Sequence, residues 1–165
     1  MMTFDPRTIG TPVYEALSQL RAPYEQLWQN TQEGTQKKIY YNHLKEQKNQ
    51  AIELYTYLST WGLLRLRAEE IALDKKKLGE SQNQLSFEER AKKNQEGKRE
   101  VLQEYFKCLE RLSDEKSLTL NNLKTLETDK YLGLMGLGLS IAQEFSFWAN
   151  VVYHDISGDD KSDGI

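Results

Sequence analysis

The sequence predicts an all-α fold, a compact bundle of five to six helices around a C-terminal core helix. Three observations carry this. The 165 residues hold only three Pro and ten Gly among long Glu-, Lys-, Gln- and Leu-rich stretches, a composition that favours helix. No segment alternates apolar and polar residues for long enough to make a half-buried strand. Finally, the run Tyr131 to Tyr153, YLGLMGLGLSIAQEFSFWANVVY, has Glu144 as its only charged residue. A chain of this length is one domain with room for a real core.

That run defines the core helix. Leu134, Gly138, Ile141, Phe145, Trp148 and Val152 recur at steps of four and three, one face of a helix. Leu132, Met135, Leu139, Ala142 and Ala149 form a second apolar stripe. Gly133, Gly136, Ser140, Gln143 and Asn150 form a small or polar third stripe, where another backbone could approach closely. A helix apolar over most of its girth belongs inside a bundle. The run is long enough to span a bilayer, but Ser140, Gln143, Glu144, Ser146 and Asn150 interrupt it and the following segment is acidic. A carboxylate at mid-bilayer costs on the order of 2.5–3.5 kcal/mol, so the expectation is a buried core helix and no membrane association.

The other elements follow in order. Residues 1–10 read as a flexible lead-in, ahead of a single domain over 11–156. Thr11-Pro12 reads as a helix start, and Val13, Leu17, Leu20, Tyr24 and Leu27 keep the helical period. Pro23 should kink or split that helix near Ala22. From Thr35 a second pattern runs through Tyr41, Leu44, Ala51, Tyr55 and Leu58, interrupted by Lys48, and continues in phase to Ile71. Gly62 costs about 1 kcal/mol relative to Ala inside a helix, which favours two helices or one bent one over 36–75. Residues 76–85 read as a loop. Ser86 to Glu89 forms a capping box. The segment from Lys92 to Glu100 has little apolar content and reads as a solvated arm, or a loop if Gly97 breaks it. The helical pattern resumes at Val101 with Leu102, Tyr105, Leu109 and Leu112. A turn at 113–115, a short helix over Leu118 to Leu126 and a Thr128-Asp129 cap lead into the core helix. Residues 157–165 read as a disordered acidic tail.

Charge and cysteine content narrow the function classes. The formal net charge of −3 excludes a generic nucleic-acid binder, although local basic faces remain. The lone Cys108 excludes an internal disulfide and fits a reducing compartment. The opening MMTFDPRTIG lacks the basic end and apolar core of a signal peptide, so the expected location is cytoplasmic.

No catalytic or metal constellation stands out, and no cofactor is expected. His43 and Glu46 lie one helical turn apart, but the pair supplies at most two metal ligands; the plainer reading is a surface histidine. Cys108 lacks an identifiable base and reads as a structural thiol. GLMGLG lies inside an apolar helix and lacks a phosphate-loop ending. The basic residues are the better lead. Lys37, Lys38, Lys45 and Lys48 accompany Tyr40 and Tyr41 on one helix. Arg65 and Arg67 follow Trp61, Lys75, Lys76 and Lys77 end the basic stretch 65–77, and Arg90, Lys92, Lys93, Lys98 and Arg99 lie along the polar arm. Cations with interspersed aromatics suit a phosphate backbone; the alternative is an ordinary solvated surface.

Two segments extend this. YLSTWGLLRLRAEEIA (57–72) places an aliphatic helix before Gly62-Leu63 and an Arg- and Ala-containing helix after it. TDKYLGLMGLGLSIAQEFSFWA (128–149) has an acidic start, regular Leu and a closing Trp148-Ala149. Together they resemble the small all-helical subunit of type III, Cmr-type, CRISPR RNA-guided effector complexes. The resemblance implies a non-catalytic subunit that stacks along the backbone of such a complex, with other effector subunits, guide RNA and target RNA as partners. It also implies basic side chains near the guide–target duplex, read by shape. No family motif fixes individual RNA contacts; Lys37, Lys38, Lys45, Lys48, Arg65, Arg67, Lys75, Lys76, Arg90 and Lys93 are the candidates. The acidic net charge, the polar 76–100 segment and the acidic tail depart from that pattern. The other readings are a helical adaptor or self-associating bundle without a nucleic-acid role, and an enzyme that would need His43, Cys108 or a Glu cluster to converge.

Overall fold

The structure is a computed structural model that describes residues 7–75, 85–113, 115 and 117–157. Among these, the chain folds into six helices and no strand: α1 (Arg7–Asn30), α2 (Thr35–Lys75), α3 (Phe87–Ala91), α4 (Glu96–Leu112), α5 (Leu120–Thr125) and α6 (Thr128–Val152). The first six residues, most of the expected 76–85 loop and the acidic segment after Ser157 lie outside the described residues. Helices α2 and α6 form the central pair; α1 and α4 pack on both. No helix among the described residues is long and apolar enough to cross a membrane.

The apolar period buries α1 through Ile9, Val13, Leu17 and Tyr24. The helix starts at Arg7, ahead of the expected Thr11 boundary, and runs unbroken through Pro23. An internal proline forfeits one hydrogen bond, at a cost of ~3 kcal/mol. Arg21 and Tyr24 are buried on either side of Pro23, and this packing holds the helix through it. Arg21 donates to both carboxylate oxygens of Asp155 (2.6 and 2.8 Å), to the Val152 carbonyl and to Glu25, and so ties α1 to the end of α6.

Helix α2 bends at Gly62, whose backbone is non-helical (φ 86, ψ 173). Helix α6 satisfies the amides freed there: Leu63 N–H meets Met135 Sδ at 3.2 Å and Leu64 N–H donates to Tyr131 Oη at 3.1 Å. Ser59 and Thr60 hydroxyls donate back to the Thr56 carbonyl. The segment after the bend therefore has its first amides capped by α6.

In α6, Leu134, Gly138, Ile141, Phe145, Ala142 and Ala149 are buried, and Trp148 is half-buried. The helix begins at Thr128 with Glu127 as N-cap and no side-chain capping bond, so Thr128-Asp129 does not cap it. Gly133 and Gly136 of the small-residue stripe are exposed. A Cβ built on Gly133 or Gly136 meets nothing within 4 Å, whereas one on Gly138 lies 2.7 Å from Tyr105 Oη and 3.4 Å from Leu63. The close approach inside this chain is therefore at Gly138.

The largest correction concerns 92–100. Ser86 and Glu89 form the expected capping box for the short α3. The segment then turns at Gln95 (φ 65) and enters α4 at Glu96. Glu96, Gly97, Arg99 and Glu100 are all buried, where a solvated arm was expected. The polar side chains are buried because they satisfy one another across helices.

Candidate nucleic-acid interface

Glu100 organises the polar centre. Its Oε1 accepts from His43 Nε2 at 2.7 Å and from Gln47 Nε2 at 3.0 Å. Its Oε2 accepts from the Tyr24 hydroxyl and from Arg90 Nη2. Tyr153 donates to Gln47 Oε1 at 2.7 Å. Beside this, Glu96 pairs with Arg90 (3.2 Å) and Arg99 (2.7 Å), and Arg99 reaches Asp74 at 3.4 Å. Burial works to raise the Glu100 carboxyl, but the His43 and Tyr24 hydrogen bonds and the Arg90 charge outweigh it and hold the group below its ordinary range. Burial, reinforced by the Glu100 charge, pushes the Tyr24 and Tyr153 hydroxyls well above theirs, so both remain donors. Arg99 stays raised against burial because Glu96 and Asp74 favour its charged form.

The His43–Glu100 pair has the residue types of an acid–base dyad. Four donors already occupy the carboxylate, and the His43 side chain is 1% exposed. The pair is thus arranged as an internal clasp between α2 and α4, and His43 is not the surface histidine its sequence position suggests. Glu46 is likewise engaged: its Oε1 accepts from the Gly97 and Lys98 amides at 2.8 and 3.4 Å, capping α4 from α2. Cys108 is buried, and burial pushes its thiol up to about 11, away from nucleophilic character. Among the described residues no group of three or more His, Cys, Asp or Glu is placed to hold a metal.

The ten basic candidates divide sharply. Lys48 is buried, and its Nζ donates to the Ile156 carbonyl at 2.5 Å. Arg67 lies 4.5 Å from the Phe106 ring centre and 3.2 Å from Glu70. Arg90 is the internal counter-charge to Glu96 and Glu100. These three leave the candidate surface, because each is held by partners within the fold. Arg65 is exposed, with its guanidinium 3.9 Å above the Trp61 ring. Lys75 closes α2, and Lys76 lies outside the described residues. Lys45 is half-buried.

The remaining three flank the first turns of α2. Lys37 and Lys38 line a groove with Trp28, Glu33, Gly34 and Tyr41. Lys93 lines another of about 300 Å³ with Lys92, Asn94, Asn42 and Glu46. Trp28 is the member that sequence reasoning missed. It lies one residue past Leu27, the last member of the apolar pattern read in α1, and the short turn to α2 brings it to Tyr41, at 5.6 Å between ring centres. Paired aromatics on either side of a short turn with adjacent lysines were the available signal.

No protein-family model matches the chain, and comparison with curated proteins and with solved structures gives no match.

Proposed function

We propose that this chain is a non-catalytic helical subunit of a type III CRISPR RNA-guided RNA-targeting complex, located in the cytoplasm, that supports the guide–target duplex through phosphate contacts. The observation that carries the proposal is a pairing of segments. The two stretches with the family's helix pattern, 57–72 and 128–149, pack on each other, with Tyr131 and Met135 of the second capping the Gly62 bend of the first. The candidate cations for phosphate contact are Lys37, Lys38 and Lys93 around the start of α2, together with exposed Arg65 and half-buried Lys45. Lysine contacts to a backbone confer affinity without sequence preference, which suits a protein that rides on any guide.

A second reading, a helical adaptor without RNA, is favoured by exposed apolar side chains: Leu132 is 61% exposed, Phe147 58% and Trp61 52%. In the first reading these meet neighbouring effector subunits or another copy; in the second they meet an unrelated partner. Tagged purification from the native host separates the two. Co-elution of several larger proteins with RNA of one guide-like length supports the effector-subunit reading. A homo-oligomer or monomer without RNA overturns it and leaves the adaptor.

A further inference from the structure

The corner between α1 and α2 contains more than a phosphate contact requires. Trp28, in the last turns of α1, and Tyr41, in the second turn of α2, meet at 5.6 Å between ring centres with planes tilted by 54°. Both are half-buried and line the groove of about 440 Å³ that Lys37 and Lys38 also line. Tyr41 is held in place, because its Oη accepts the Ser157 N–H at 2.9 Å. Lys38 is exposed. Lys37 lies 3.8 Å from Glu33, whose side chain is 93% exposed; solvent screens such a pair, and it yields readily to a phosphate.

Fixed aromatic faces beside two ammonium groups are the elements of single-strand recognition. The base stacks on the rings, and the flanking phosphates meet the cations. Bases in a duplex are already stacked and offer no free face to such rings. A proline-rich peptide could use the aromatic pair, but it would give the two lysines nothing to neutralise. The groove volume falls in the range of small-molecule sites.

We propose that the Trp28–Tyr41–Lys37–Lys38 groove binds an unpaired nucleotide of single-stranded RNA. This rests on the reading of the chain as an RNA-associated subunit and adds to it a ligand class and a site. Binding is to be measured on the full chain with fluorescein-labelled oligouridine and oligoadenine and with a duplex of equal length. A Trp61→Phe/Trp148→Phe variant, in which Trp28 is the sole tryptophan, is titrated in parallel with excitation selective for tryptophan. Saturable quenching of Trp28 by single strands but not by duplex is expected. Trp28→Ala should weaken single-strand binding about tenfold with the salt slope unchanged. Lys37→Ala/Lys38→Ala should flatten that slope by roughly 1.4, about 0.7 for each phosphate no longer neutralised. Lys38→Glu, on an exposed residue, controls against misfolding of the Trp28 variant and should also weaken binding. Single-strand binding that leaves Trp28 emission unchanged, or that survives Trp28→Ala and Lys38→Glu alike, overturns the groove while the RNA-associated reading stands. No RNA binding by the isolated chain overturns the groove as well, and the complex reading is then decided by the RNA that co-purifies from the host. Quenching by a proline-rich peptide and not by RNA overturns the ligand class.

Discussion

A single carboxylate decides much at the residue scale. Glu100 takes hydrogen bonds from His43, Gln47, Tyr24 and Arg90. Removing one partner of a buried charged network leaves the others uncompensated, at about 3–5 kcal/mol. Glu100→Ala should lose that much in a urea melt at neutral pH; a loss below about 1 kcal/mol would mean the clasp does not hold the bundle. The pH dependence carries the same information. The Glu100 carboxyl lies below its ordinary value of 4.5, and Asp155, through its hydrogen bonds to Arg21, lies below its ordinary 3.8. The unfolded chain binds those protons first, so stability is full above about pH 5 and is lost as pH falls through the two folded values. Acid titration of the melt should show this steepening, and Glu100→Ala should show a shallower acid limb. The residues of this network were visible in the sequence, but their association was not. Three of its four partners lie 53, 57 and 76 positions from Glu100, with only Arg90 near in sequence, and no periodicity within 92–100 distinguishes a paired polar run from a solvated one.

Glycine position separates the elements, and three substitutions should have three different outcomes. Gly62 occupies a backbone region open almost only to glycine (φ 86, ψ 173), while an added Cβ would meet just Tyr131 Oη at 3.7 Å and Met135 Sδ at 3.9 Å. Gly62→Ala should therefore cost about 1–3 kcal/mol through the backbone alone. Gly138→Ala collides with Tyr105 Oη, which donates to the Gly138 carbonyl at 2.9 Å; it should cost about as much or more through displaced packing. Gly136 is exposed on a regular helix with open space around it, so Gly136→Ala should stabilise by roughly 0.5–1 kcal/mol. Thermal melts of the three variants check the order. The bend at Gly62 was legible because an isolated glycine in a sustained apolar period is a local signal. The continuity through Pro23 was not, because the packing of Arg21 and Tyr24 that holds the helix comes from other elements. The same holds for α6. Its first apolar stripe identified the buried face, but Leu132 of the second stripe is 61% exposed, and which glycine meets a neighbour depended on where Tyr105 arrives.

For the whole molecule, charge sets how a protein of net −3 can approach a polyanion. The bundle holds Arg90 and Arg99 within its polar centre and Lys48 beneath the last turn. Lys37 and Lys38 line a groove at the α1–α2 corner, while exposed Arg65, Lys107 and Lys124 lie on other parts of the surface. The chain reaches Ser157 at that same corner, where its N–H donates to Tyr41 Oη. Residues 158–165 then bring Asp159, Asp160 and Asp163 against a single Lys161. This acidic stretch follows Ser157 directly in the sequence, and like charges repel over the ~10 Å Debye length at 0.1 M salt. The acidic segment should therefore oppose phosphate at the groove. Deleting 158–165 should raise single-stranded RNA affinity by about twofold or more in 50 mM salt. The difference should fade towards 1 M, where the Debye length is ~3 Å. Fluorescence anisotropy across a salt series checks this: a gain that persists unchanged at high salt would mean the segment acts by occupying the groove, and no gain at any salt would place the RNA contact on another face.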